Sequence, residues 1–99
     1  MKETAAAERY SRALFLALKD QKSSDFSIAL RQLAKAVDLL RKDQKFREAL
    51  ENPLIAMDRK KQVLKKNASD FSSLVLNFLN LIVSKKRIRL LPLILSRFE

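Results

Sequence analysis

The side chains with the most chemical potential in this 99-residue chain are cationic. Arg59, Lys60, Lys61, Lys65 and Lys66 form one cluster, and Lys85, Lys86, Arg87 and Arg89 form a second. Such clusters attract nucleic acid, anionic membrane or an acidic protein without choosing among them. The usual catalytic inventory is missing or unarranged. The chain has no cysteine and no histidine, which removes disulfides, thiolate chemistry, the soft metal ligands and the commonest general base at neutral pH. It has no glycine and therefore no glycine-rich phosphate loop. Its eleven Asp and Glu residues mostly lie close in sequence to Lys or Arg, the pattern of surface pairing rather than of acid–base work. A non-catalytic protein is expected, with no metal and no cofactor.

The net charge of +10 is unevenly spread. Residues 1–58 carry eleven Lys and Arg against nine Asp and Glu, whereas residues 59–99 carry ten against two. The basic character therefore belongs to the second half. At 47% hydrophobic residues the chain can build one core, and its length suits one domain. The longest apolar stretches, Leu74–Val83 and Leu90–Leu95, fall well short of the roughly 20 residues that span a bilayer. Glu3 and Glu8 stand where a transit peptide would be acid-poor, so no targeting segment and a cytosolic location are expected.

What positions these residues is a series of helices, since alanine, leucine, lysine and glutamine fill the periodic segments. The first helix is predicted from about Thr4 to Asp20, with Ala6, Tyr10, Ala13, Leu14, Ala17 and Leu18 at three- and four-residue spacing. Ser23 or Ser24 is placed to cap a second helix bearing Phe26, Ala29, Leu30, Leu33, Val37 and Leu40. Asp43 is placed to cap a third, which ends near Asn52 because Pro53 disfavours helical geometry in the residue before it. A fourth helix is expected from Met57 or Asp58 to Lys66, with Val63 and Leu64 inward and its lysines in water. Asn67 is the expected left-handed terminator. Ser69 or Asp70 should open a fifth helix through Ser84, and Ile88–Phe98 a sixth with Pro92 near its start. The fold class expected is all-α, a compact six-helix bundle in a single domain.

Two of these helices have unusual faces. On the fifth, Phe71, Leu74, Val75, Leu76, Phe78, Leu79, Leu81, Ile82 and Val83 cover an arc of roughly 220°, about twice what one core contact needs. Either this helix is central, or one flank meets the core and the other helps line a groove. On the first, one edge of the apolar face is Ala6, Ala13 and Ala17 beside Tyr10, small residues that let another helix approach closely. That helix is either internal or external; if external, helices one and five form a cradle for an amphipathic helix.

Ordered motifs also run along the chain: Glu8-Arg9-Tyr10-Ser11-Arg12-Ala13-Leu14-Phe15; then Asn52-Pro53-Leu54-Ile55 before a short helix with Lys60 and Lys61; then Asn77-Phe78-Leu79-x-Leu81-Ile82; then Arg87-Ile88-x-Leu90-Leu91-Pro92-x-Ile94 and Phe98. Taken in this order, the chain resembles the amino-terminal domain of the delta subunit of F-type ATP synthase, the oligomycin sensitivity-conferring protein family. Ser11 replaces the usual alanine of that pattern. Lys86 stands where a glycine commonly precedes the arginine, so that turn must either strain a side chain-bearing residue or use another geometry.

The resemblance implies a peripheral-stalk role, holding the catalytic head against rotor torque by gripping the amino-terminal helix of an alpha subunit between helices one and five. It places Tyr10, Ala13, Asn77 and Leu81 on the gripping face. The helical wheel adds Ala6, Ala17, Leu74 and Phe78 as neighbours but does not separate this flank of helix five from the one bearing Leu76, Leu79 and Val83. The resemblance also implies b-subunit binding only through a carboxy-terminal domain absent from residues 1–99, and a peripheral location on the cytoplasmic side of the bacterial inner membrane. Neither nucleic-acid binding nor direct membrane insertion is expected. The competing reading is a basic helical nucleic-acid-binding module. Against it, the aromatic residues lie mostly on apolar seams rather than among the basic clusters.

Overall fold

The computed structural model describes residues 2–19 and 23–98. Its elements are α1 (Lys2–Leu18), α2 (Ser23–Lys42), α3 (Gln44–Glu51), α4 (Met57–Asn67), α5 (Ser73–Ser84), a 3-10 turn (Ile88–Leu90) and α6 (Leu91–Ser96). Asp20 and the side chains of Ser23 and Ser24 lie outside what is described, and with them the expected end of helix one and cap of helix two. No strand occurs among the described residues, so the fold is the expected all-α six-helix bundle. Its radius of gyration of 12.8 Å is that of a single packed domain of this length, about 13 Å.

The shortest helix holds the centre. Within the 3-10 turn and α6, Ile88, Leu90, Leu91, Ile94 and Leu95 are all buried, Leu91 and Ile94 completely. Helix α6 packs on α1 and α2, and the 3-10 turn packs on α3 and α5. Around this centre α2 also meets α3 and α5, while α4 bridges α3 and α5. Leu14, Leu33, Leu50, Leu64, Leu79 and Ile82 complete one continuous core. Burial of each such leucine or isoleucine contributes about 1.5–3 kcal/mol relative to exposure. Pro92 sits in the first turn of α6, as expected, where its missing amide has no partner to lose.

Local chemistry accounts for most boundaries. The Phe46 amide donates to Asp43 Oδ1 at 3.1 Å, capping α3. Asn52 is extended (φ −68°, ψ 116°) ahead of Pro53 and closes α3 where expected. Three expectations are corrected. Asn67 is not a left-handed terminator: it remains helical and its Nδ2 donates to the Val63 carbonyl at 2.8 Å. The chain leaves α4 at Ala68 (φ −136°) because Ala68 and Phe71 are both drawn into the core. For the same reason α5 opens later than Ser69 or Asp70. Ser72 is its cap, accepting from the Val75 amide at 3.3 Å, and the Ser72 amide in turn donates to Gln32 Oε1 of α2 at 3.0 Å. Finally, the α4 lysines are not all in water, since Lys60 is only 5% exposed.

The turn after α5 resolves the question posed by Lys86. Lys86 adopts the left-handed conformation, with φ of 61°. The Lys86 amide donates to the Val83 carbonyl at 2.9 Å and the Arg87 amide to the Ile82 carbonyl at 2.8 Å. This pair of bonds is the Schellman pattern, which satisfies carbonyls left over at a helix end. A lysine is thus held in a conformation that costs a residue with a Cβ about 1–2 kcal/mol, with only Gly and sometimes Asn or Asp adopting it readily. Lys86→Gly is therefore expected to stabilise the fold by about 0.5–1 kcal/mol, read as a higher urea midpoint at unchanged m-value; an unchanged midpoint would mean the turn is unstrained.

Candidate partner-binding face

Helix α1 turns its Ala7, Ser11, Leu14 and Leu18 stripe inward. Ser11 Oγ donates to the Glu8 carbonyl at 3.0 Å, so the buried hydroxyl is satisfied within its own helix. The expected face lies beside this stripe and changes character along its length. Ala6 is in the core at 2% exposure and Tyr10 packs half-buried against it, whereas Ala13 and Ala17 are exposed. Arg9 stacks over the Tyr10 ring at 5.8 Å.

Helix α5 divides in a similar way. Val75, Phe78, Leu79, Ile82 and Val83 are buried. Leu79 and Val83, on the flank that the wheel could not separate, are each 1% exposed. Leu74 is half-buried and packed against the core, Asn77 is exposed, and Leu81 is 42% exposed despite being a leucine. The helix is therefore not enclosed on all sides. Its outward apolar flank is Leu74 and Leu81 with Asn77 between them, and Phe78 forms the floor beneath.

Of the eight expected residues, Ala6 and Phe78 thus belong to the core, Tyr10 and Leu74 border it, and Ala13, Ala17, Asn77 and Leu81 face solvent. Helices α1 and α5 are not closely packed on each other: α1 leans on α6, and α5 on α4 and α2. The sequence reading missed Leu16, 51% exposed on the outer side of α1, where it lines a shallow depression with Ala5, Glu8, Arg9, Arg12 and Ala13. Its signal was present in the sequence, since Leu16 falls outside the i, i+4, i+7 series of Ala7, Ser11, Leu14 and Leu18. Phe15, 49% exposed, was also missed; it meets Phe26 edge-on with 6.4 Å between ring centroids.

Two ion pairs are present among the described residues: Lys35 with Asp70 at 3.8 Å, and Arg97 with Glu8 at 3.7 Å. Both are solvent-exposed and contribute little to stability. No group of three Asp or Glu residues among the described residues is arranged to hold a metal ion. No described helix is long and apolar enough to cross a membrane.

These features define a class, an all-helical module whose distinctive surface is apolar and basic rather than a constellation of nucleophile, base and ligand. Comparison makes the assignment definite. The family model described as ATP synthase delta (OSCP) subunit matches residues 6–99, and the chain belongs to that family. It is 35% identical over 96 residues to ATP synthase subunit delta of Nostoc sp., an alignment covering 96% of this chain and 51% of the relative. It is 32% identical over 103 residues to the subunit delta of Carboxydothermus hydrogenoformans, covering 99% of this chain and 54% of the relative. It is 30% identical over 100 residues to the chloroplastic ATP synthase delta chain of Chlamydomonas reinhardtii, covering 99% and 45%. The chain thus spans about half the length of the curated relatives it matches. No solved structure matches it significantly.

The two flanks of α5 should respond differently to truncation. Leu79→Ala removes a fully buried side chain and is expected to cost about 2–5 kcal/mol, whereas Leu81→Ala should stay within about 1 kcal/mol. Urea denaturation of the two variants reads the difference, and equal losses would contradict the exposure of Leu81.

Proposed function

We propose that this chain is the amino-terminal module of an ATP synthase delta subunit, acting without catalysis as part of the peripheral stalk. In this reading it docks the amino-terminal helix of an alpha subunit on the faces of α1 and α5. The observation that carries it is the outward flank of α5: a leucine 42% exposed beside Asn77 and the half-buried Leu74, in a family whose model matches residues 6–99. An amphipathic helix laid there would cover Leu74 and Leu81 on one side and Tyr10, Ala13 and Ala17 on the other. Ala6 and Phe78 would serve as floor rather than as contacts made from solvent. Exposed alanines on α1 let a helix backbone approach closely, and the Tyr10 hydroxyl offers a polar anchor at the edge.

The mechanical role follows from the kind of contact. A stalk under torque needs slow dissociation, which apolar burial supplies, while rim charges such as Arg9 and Arg12 act mainly on encounter. The relatives' further length, which this chain does not match, is where binding to b subunits would reside. The complex would be held at the cytoplasmic side of a bacterial inner membrane, with this module peripheral to it.

Calorimetric titration with a peptide of the alpha-subunit amino terminus, at low and high salt, tests the reading. Ala13 is exposed, so Ala13→Asp should leave the fold intact while placing a charge in the seam. The expected result is binding that survives salt and weakens at least tenfold in Ala13→Asp, the size of effect that burying one unpaired charge produces. No binding by the folded domain at either salt would refute the grip. Salt-sensitive binding to nucleic acid instead would favour the basic-module reading.

A further inference from the structure

Among the described residues Lys60 is the one buried charged residue. It is 5% exposed, yet among the described residues it takes part in no ion pair and no side-chain hydrogen bond. Burying an ammonium without a partner is costly. The one fully enclosed side-chain polar atom lacking a partner among the described residues is Asn80 Oδ1, not Lys60 Nζ. The aliphatic stem of Lys60 is therefore packed while its head keeps an outlet. That outlet is a concavity of about 200 Å³, lined by Leu50 and Glu51 at the end of α3, Lys60 of α4, and Lys86, Ile88 and Arg89 of the turn after α5. Its size is well above the roughly 10–15 Å³ needed for a single water.

The geometry points to this concavity as a binding site for a phosphate group. Three cations, Lys60, Lys86 and Arg89, line it against the single carboxylate of Glu51. The carboxy-terminal end of α3, where Leu50 and Glu51 sit, adds about half a negative charge. The balance is close to +1.5, which complements the −1.5 to −2 of a phosphate monoester at neutral pH. A single carboxylate would leave positive charge uncompensated. Helix α3 does not itself satisfy the buried lysine, because no α3 carbonyl accepts a hydrogen bond from it. Arginine and lysine also divide the work as phosphate sites require: Arg89 supplies a planar fork and Lys60 a point charge. The left-handed turn at Lys86 brings the second basic cluster to the same place as Lys60 of the first. The site is formed by α3, α4 and the turn after α5, and its existence does not depend on the alpha-subunit reading.

The test is a titration of the 15N-labelled chain with inorganic phosphate, with chloride used to hold ionic strength constant, in wild type and in Lys60→Met, which keeps the packed stem and removes the charge. Saturable amide shifts confined to Glu51, Lys60 and residues 86–89 are expected, together with about tenfold weaker binding in Lys60→Met, the loss expected from one charge-assisted hydrogen bond. Arg89→Gln should weaken binding as well and provides a check outside the core. Vesicles of phosphatidylcholine with and without phosphatidate separate a soluble phosphate from a lipid headgroup. Phosphatidate-dependent binding lost in Lys60→Met would assign the site to a lipid phosphate. Shifts spread over the whole basic surface, equal titration of wild type and Lys60→Met, or no response to either probe would overturn the proposal.

Discussion

The packing of the 3-10 turn and α6 into the middle of the bundle is the constraint on which the other elements depend. Ile88, Leu90, Leu91, Ile94 and Leu95 give that segment apolar contacts in several directions, and α1, α2, α3 and α5 are arranged around it. A helix of six residues would not be stable alone in water, because the cost of nucleation outweighs so few hydrogen bonds. Its conformation is therefore imposed by burial. The chain must enter this central position sharply from the end of α5, which explains why a lysine is held in left-handed geometry where the composition offers no glycine.

Surface features follow from how the helices share this centre. Helix α1 leans on α6, and α5 on α4 and α2, which leaves the Leu74–Asn77–Leu81 side of α5 without a covering helix. The wide apolar arc of α5 thus serves two purposes. Most of it forms core, and the remainder, with Leu81 42% exposed, adds little to the stability of the module. In the proposed function it is this remainder that a partner helix covers. The basic residues have a different logic, since Lys60 is buried and Lys85, Lys86, Arg87 and Arg89 gather around the turn after α5.

Much of this was legible in the sequence, and the exceptions share a cause. The helix count, the Asp43 cap, the stop before Pro53 and the place of Pro92 depend on chemistry within a few residues, so local reading suffices. The Lys86 turn was visible only as a conflict between a residue and the geometry expected of it. The start of α5 was misjudged because Ser69, Asp70 and Ser72 are all competent caps, and the choice is made by burial of Phe71 and by Gln32, forty residues earlier. Asn67 was overruled by the pull of Ala68 into the core. Lys60 looked like any other lysine in a basic helix, because nothing in its neighbours in sequence reveals that the packing of α4 between α3 and α5 leaves it buried. For the candidate face, the wheel indicated the width of the apolar arc, but only tertiary packing separates Leu81 from Leu79.

The pairing of α1 with α6 has a consequence for how the chain is made. Helix α1 is held chiefly by α6, the last helix of the module, with some seventy residues between them. While the ribosome is still producing α2 to α5, the Ala7, Leu14 and Leu18 stripe of α1 lacks α6, the element it chiefly packs against. Domains generally fold as units during synthesis, and chains with exposed apolar surface are prone to misassociate until they do. Closure of this core must therefore wait until α6 clears the exit tunnel, so the interval of vulnerability is set by the pace of translation rather than by the speed of helix formation.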